Sequence, residues 1–198
     1  NTIDHSEYLI YSFIVNLAIN YHNIFVDKSA YNYEFSNSII EQFIKSFKFE
    51  EFIKKLEISK NAQYEYLLYY YYLLMCNCYP EKDHYYPKLK EYSLINFDNL
   101  NREEKVRRFN YLMDYCVYQI KSGNSNFRSE SFNIYKETLR LKLYRLNPND
   151  DSVGLIFFRN FVMTGLAAKE YDYIEAFISQ YRGDLEGDVG KDLFEVSS

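Results

Sequence analysis

The first glycine of this 198-residue chain is Gly123. Before it stand only two prolines, Pro80 and Pro87, and the whole chain holds six Gly and three Pro. Glycine supplies the positive φ that tight turns need, and proline pre-sets turn geometry. A chain this poor in both lacks the turns of a sheet-rich or loop-rich fold, so long helices joined by short connections are expected. A hydrophobic content of 47% is too high for a disordered chain. No segment holds eighteen uninterrupted apolar residues, so no transmembrane helix and no membrane partner are expected. The balance of 23 Lys+Arg against 28 Asp+Glu leaves a net charge of −5, which weighs against nucleic acid as a partner because phosphate binding needs a basic surface. The chain opens Asn1-Thr2-Ile3-Asp4, with neither a Met nor a basic leader, so no signal peptide is expected here and a fragment of a longer chain or a processed chain is. Three Cys suit a reducing, cytoplasmic compartment better than a disulfide framework.

Apolar spacing places the helices. Tyr8, Tyr11, Val15, Ala18 and Ile19 put a first helix over Glu7–Tyr21, with Asp4 or Ser6 as its cap, and residues 23–35 read as a connection. A second helix begins at Ser36, with Ser38 and Glu41 as a capping box, and a short amphipathic piece follows from Phe49 to Leu56. Residues 61–78 are apolar on every side, the mark of a helix buried between neighbours, and Tyr79-Pro80 closes it. Asp83 caps a helix that runs to about Phe97. Asn101 caps the next, Arg102–Lys121, which Gly123 terminates. Three more are expected: Ser129–Leu146, one capped by Asp151 or Ser152 that runs to about Glu170, and one from Tyr171 or Asp172 to about Tyr181. Another starts beyond Glu186. Second helices of successive pairs begin about 34, 45 and 44 residues apart, within the range of helical-repeat arrays. These residues predict one all-α domain over 1–198, a stack of antiparallel helix pairs with about eight or nine helices.

Asp172-Tyr173-Ile174-Glu175-Ala176-Phe177 follows a helix carrying the small residues Thr164, Gly165, Ala167 and Ala168. This resembles the turn and second-helix start of a tetratricopeptide repeat, in which small side chains let two helix backbones approach. Ser131 takes the equivalent small position one pair earlier, whereas Phe52 and Lys88 depart from it, so the strong resemblance covers about a quarter of the chain. The stretch from Phe158-Arg159-Asn160-Phe161-Val162 through Phe177-Ile178 also resembles long, uncharacterised helical-repeat proteins of Bacteroidetes-type bacteria. The resemblance implies a right-handed superhelical solenoid, a concave groove lined by the first helix of each pair, and more repeats on the C-terminal side. It implies no chemistry.

The residues that could carry chemistry have structural readings. Cys76, Cys78 and His84 are the one metal-like grouping, but residues two apart on a helix point about 200° away from each other. Buried thiols are the expected reading, with no metal and no cofactor. Cys116 shares the apolar stripe of its helix. No nucleophile elbow, paired metal-binding histidines or Gly-rich phosphate loop occurs, so no catalytic residue and no enzyme activity are expected. The paired acids Glu50-Glu51, Glu103-Glu104 and Asp150-Asp151 sit at helix starts, where they compensate the macrodipole, and Arg140, Lys142 and Arg145 do so at a helix end. Tyr69–Tyr72 reads as core rather than as a stacking platform.

Binding is the better supported role. On Arg102–Lys121 the apolar set is Val106, Phe109, Leu112, Met113, Cys116, Val117 and Ile120, and the opposite stripe is Arg107, Asn110, Tyr111, Asp114 and Tyr118. On the groove of a tetratricopeptide-like stack this stripe, extended by Arg159 and Asn160, would meet a protein or peptide. No Lys or Arg stands four residues before an Asn on a groove helix, so capture of an acidic C-terminal tail by a carboxylate clamp is not expected. The expected function is therefore a non-catalytic scaffold. The rivals are a regulatory domain sensing a small ligand in a Tyr-rich pocket, and the accessory repeat region of a larger protein.

Overall fold

The computed structural model describes residues 2–31, 39–145 and 153–185. Among these the chain forms nine α-helices, two short 3-10 segments and no strand, in line with the all-α expectation. The backbone groups into two compact units, Asn1–Leu100 and Asn101–Ser198.

In the first unit, α1 (Thr2–Tyr31) packs along α4 (Tyr64–Cys78), and α4 also meets α3 (Phe49–Ile58) and α5 (Tyr85–Ser93). Enclosed in this way, α4 buries ten residues, among them Leu67, Tyr69, Tyr70, Tyr71 and Leu74. The all-round apolar pattern is thus explained by neighbours on several sides. α2 (Ile39–Ser46) meets α1 through Phe13 and Phe43, with ring centroids 5.4 Å apart, and through the Lys28–Glu41 ion pair at 2.6 Å. Ser36 and Ser38, read as helix caps, lie outside the described residues.

The first helix is longer than its apolar spacing suggested. Residues 23–31, read as a connection, continue α1. The reason is tertiary: Ile14, Ala18, Tyr21 and Phe25 form one buried stripe, and the buried His22 is hydrogen-bonded through Nδ1 to Asn77 Nδ2 at 3.2 Å. Asn61 donates to the Tyr11 hydroxyl at 2.7 Å and so ties the start of α4 to α1. By length and composition, His5–Tyr31 is apolar enough to cross a membrane; a core helix passes the same test, and this one buries the stripe just named. α5 begins at Tyr85 with His84, not Asp83, at its N-cap and no side-chain cap bond, and ends at Ser93.

The second unit runs α6 (Arg102–Lys121), α7 (Phe127–Arg140), α8 (Leu155–Ala167) and α9 (Tyr171–Tyr181), each packed on the next. Asn101 caps α6 as expected, accepting from the Glu104 amide at 2.8 Å. Asp151 and Ser152, read as caps, lie outside the described residues, as does the helix expected beyond Glu186. The Arg102 guanidinium donates to the carbonyls of Lys142, Leu143 and Arg145, so the start of α6 holds the end of α7. The core is aromatic. Phe161 is fully buried and stacks on Phe177 with centroids 4.1 Å apart, and Phe132 meets it edge-on at 5.2 Å. Each such ring contributes about 1.5–3 kcal/mol by burial.

Four helices end in one way. After α3, α6, α7 and α8 the residue with positive φ donates to the carbonyl three back, and the next residue donates to the carbonyl five back. This is the Schellman pattern, and its left-handed residue is usually Gly. Here it is Gly123 only after α6; the others are Lys60, Lys142 and Lys169. A side chain in that conformation costs about 1–2 kcal/mol, partly offset by the entropy a glycine would lose. Lys169→Gly should therefore raise stability by about 0.5–1 kcal/mol, read as a higher urea midpoint; an unchanged or lower midpoint would contradict this account of the helix end.

The close approach between α8 and α9 is made by Gly165 and not by Ala176. Ala176 lies on the exposed side of α9. Gly165 is buried, and a Cβ there would overlap the Ile174 side chain and stand 2.8 Å from Phe132 Cε2. Ile174 is only 2% exposed and belongs to the aromatic core, so it has little room to yield. Gly165→Ala should destabilise the unit by about 1–3 kcal/mol through overpacking, whereas Ala176→Trp should stay within about 0.5 kcal/mol. Denaturant unfolding of the pair checks the assignment, and a reversed order would refute it.

Candidate functional site

The groupings first tested for chemistry are spread between core and surface, with His84 exposed. Cys76 is buried on α4, Cys78 is half-buried at its end, and all three cysteines are free thiols. Burial, aided by neighbouring charge, raises the Cys76 thiol, and burial pushes the Cys78 thiol up to about 12 although a hydrogen bond with Tyr21 opposes it. His84 lies at the start of α5 with its ring against Tyr85, centroids 4.0 Å apart. Among the described residues no three His, Cys, Asp or Glu side chains are placed to hold a metal ion. Tyr69, Tyr70 and Tyr71 are buried, and Tyr72 stacks on Tyr92 at 5.4 Å. The tyrosine run is a structural core.

An open hollow of about 720 Å³ lies in the second unit between α6, α7 and α8. α6 supplies Val106, Phe109, Asn110 and Met113, α7 supplies Ile134, Tyr135 and Thr138, and α8 supplies Leu155, Ile156, Phe157 and Asn160. The chain after α7 adds Leu143, Tyr144 and Arg145 to the lining. Tyr144 stacks on Phe157 with centroids 4.9 Å apart, and Tyr135 meets Phe157 edge-on at 5.7 Å. Ile156 stands 73% exposed on the rim. The lining is mainly apolar with a few amides and hydroxyls, the composition of a binding site. A smaller hollow of about 420 Å³ in the first unit, lined by Glu7, Tyr8, Tyr11 and Asn16 among others, is more polar.

The predicted stripe is divided by the structure. Asn110 and Asn160 both line the hollow, from α6 and α8. Arg159 is exposed beside it and donates to Asn160 Oδ1 at 3.2 Å through Nη2. The Tyr135 hydroxyl is bonded to Asn160 and feels both Arg159 and Asp114; its pKa is raised chiefly by burial. Arg159, Asn160 and Asp114 therefore share one neighbourhood across α6, α7 and α8. Arg107 is half-exposed and paired with Glu104, which also meets the buried Arg108. Tyr118 is half-buried and outside the hollow. Tyr111 departs most from the expectation: it is 8% exposed, turned into the core, and burial raises its hydroxyl pKa.

Sequence reasoning missed the walls of the hollow. Val106 and Met113 were read as core, yet they are half-buried and line the opening beside the buried Phe109, while Val117 of the same set is 40% exposed. Arg145 was read as a helix-end charge. The signal that could have found them is α8 itself, apolar on every side yet packed on α7 and α9. Comparison with family models, with curated proteins and with solved structures gives no match to this chain.

Alkaline titration tests the buried hydroxyls. Burial holds Tyr21 and Tyr71 above their ordinary value of 10, and it pushes Tyr64 up to about 12 with help from Glu57. The folded state then keeps protons that the unfolded chain releases above pH 10. Stability from this source is complete below that pH and falls as pH rises toward 12. Phenolate absorbance should therefore rise in a cooperative step together with loss of helical circular dichroism. A gradual rise with helix content intact would show that these hydroxyls reach solvent.

Proposed function

We propose that this chain is a non-catalytic scaffold that binds a protein or peptide through the second unit. The carrying observation is the open apolar hollow between α6 and α8, the first helices of two successive pairs. An open trough with amides on two walls suits a polypeptide, whose backbone can bond to Asn110 and Asn160 while side chains enter below. In this reading the helix pairs stack in the right-handed manner of a tetratricopeptide-like solenoid. The shared Schellman endings and the close helix contact at Gly165 support that arrangement. The free thiols support a reducing, cytoplasmic setting. The rival, a sensor of a small ligand, draws support from the hollow's volume, which suits a compact molecule. The buried Tyr69–Tyr71 run offers that ligand no pocket.

Ile156→Asp places a charge on the rim at a residue already in solvent. Its effect on stability should stay within about 0.5 kcal/mol. Cross-linking with the full-length protein in its host, followed by identification of the captured chains, should yield partners that the variant loses. An identical set of captured proteins from both would end the assignment to this face.

A further inference from the structure

The smaller hollow, in the first unit, is a site of a different kind. α1 and α4 run side by side in one direction, because Tyr11 meets Asn61 and His22 meets Asn77. The hollow of about 420 Å³ is a trough between residues 7–16 of α1 and the start of α4. Glu7 and Asn16 mark its ends on α1, and the helical rise sets them about 13 Å apart. Asn61, just before α4, organises the polar side chains. Its Nδ2 donates to the Tyr11 hydroxyl at 2.7 Å, and that hydroxyl donates to Glu7 Oε2 at 3.1 Å. Its Oδ1 accepts from the Gln63 backbone amide at 2.8 Å. One amide therefore positions a carboxylate on one wall and a glutamine on the other. Among the described residues these bonds leave Glu7 Oε1 and the Gln63 side-chain amide unengaged. Asn16 spends its Nδ2 on the Ser12 carbonyl at 2.8 Å and keeps Oδ1 as an acceptor. Two aromatic rings flank these groups: Tyr8 is 65% exposed and Tyr66 42%, and the buried Tyr70 braces Tyr66 edge-on with centroids 5.1 Å apart.

We propose that this trough binds a neutral sugar of disaccharide length, its rings packed on Tyr8 and Tyr66 and its hydroxyls bonded to Glu7, Gln63 and Asn16. A pyranose turns weakly positive C–H bonds outward from its face, and these suit the negative face of an aromatic ring. Its edge carries hydroxyls, each both donor and acceptor. Neighbouring hydroxyls match planar side chains: a carboxylate accepts from two, and an amide accepts from one while donating to the other. Recognition here depends on this mix of donors and acceptors and not on net charge. A purely apolar ligand would cover the carboxylate and the amides and leave them unpaired. The volume lies toward the smaller end for ligand sites, and the trough is open, so a longer chain of sugars can run on past it.

Saturation-transfer difference NMR with the full-length protein tests this, with cellobiose, maltose, lactose and N,N′-diacetylchitobiose as probes. At least one should show transfer to its ring protons. Gln63→Ala should weaken that sugar about fivefold, the loss of about one hydrogen bond, and Tyr8→Ala by at least as much. Both residues are exposed, so helical circular dichroism should be unchanged in the two variants. Ile156→Asp, in the second unit, should leave the transfer as it is. Absence of transfer to all four sugars overturns the proposal. Transfer that survives Tyr8→Ala and Gln63→Ala combined also overturns it, because the sugar then sits elsewhere. Stronger transfer to benzyltrimethylammonium than to any of the sugars overturns it in favour of an organic cation at Glu7. None of these outcomes bears on the peptide role of the second unit.

Discussion

Gly165 is the contact on which the second unit depends. The side chain it lacks would occupy space already taken by Ile174 and Phe132. Phe132 belongs to α7 and Ile174 to α9, so a single missing Cβ sets the approach of three helices. With the backbones that close, Phe161 can stack on Phe177 while its other side meets Phe132. The interior is then filled by rings packed at close-packed density, where small volume changes are felt. The hollow follows from the same geometry. α8 spends one flank on α7 and α9 through Phe158, Phe161 and Gly165, and Leu155, Ile156 and Phe157 at its start line the opening.

Where helix ends carry recognised chemistry, the sequence shows them. Asn101 and Gly123 bracket α6 at both ends, because an Asn side chain can accept the orphan amide and a Gly can take positive φ. The same ending recurs after α3, α7 and α8 with Lys in the left-handed position, and there it leaves no local mark. After α7 the tertiary structure supports the poorer residue: Arg102 binds the carbonyls around Lys142. The extra turns of α1 were hidden for a related reason. Ile24, Phe25 and Val26 are consecutive apolar residues that blur a period of 3.6, and burial of Phe25 selects the helix.

The site was legible in part. Asn110, Arg159 and Asn160 were assigned to a groove because a polar stripe on a first helix is where one would lie; Asn110 and Asn160 line the hollow, and Arg159 is exposed beside it. The reasoning assumed that the groove faces away from the apolar stripe. In the structure the two overlap: Val106 and Met113 face the opening, and Tyr111, from the supposed groove face, is in the core. Periodicity reports which residues avoid water but does not distinguish a packed interface from an open apolar trough. That difference depends on how far apart α6 and α8 stand, and α7, with Tyr135 and Ile134 between them, sets this distance.

The two units use aromatic residues for different ends. In the first, tyrosines of α4 are enclosed by α1, α3 and α5, and their rings serve as filler whose hydroxyls resist ionisation. In the second, phenylalanines form the closed core, and Tyr135 and Tyr144 stand at its edge with their rings against Phe157. A tyrosine at such an edge keeps an apolar face for packing and a hydroxyl for a polar neighbour. Tyr135 uses its hydroxyl on Asn160, which in turn accepts from Arg159, so the apolar wall grades into a cation through two hydrogen bonds. That gradation runs from ring to amide to guanidinium within one surface.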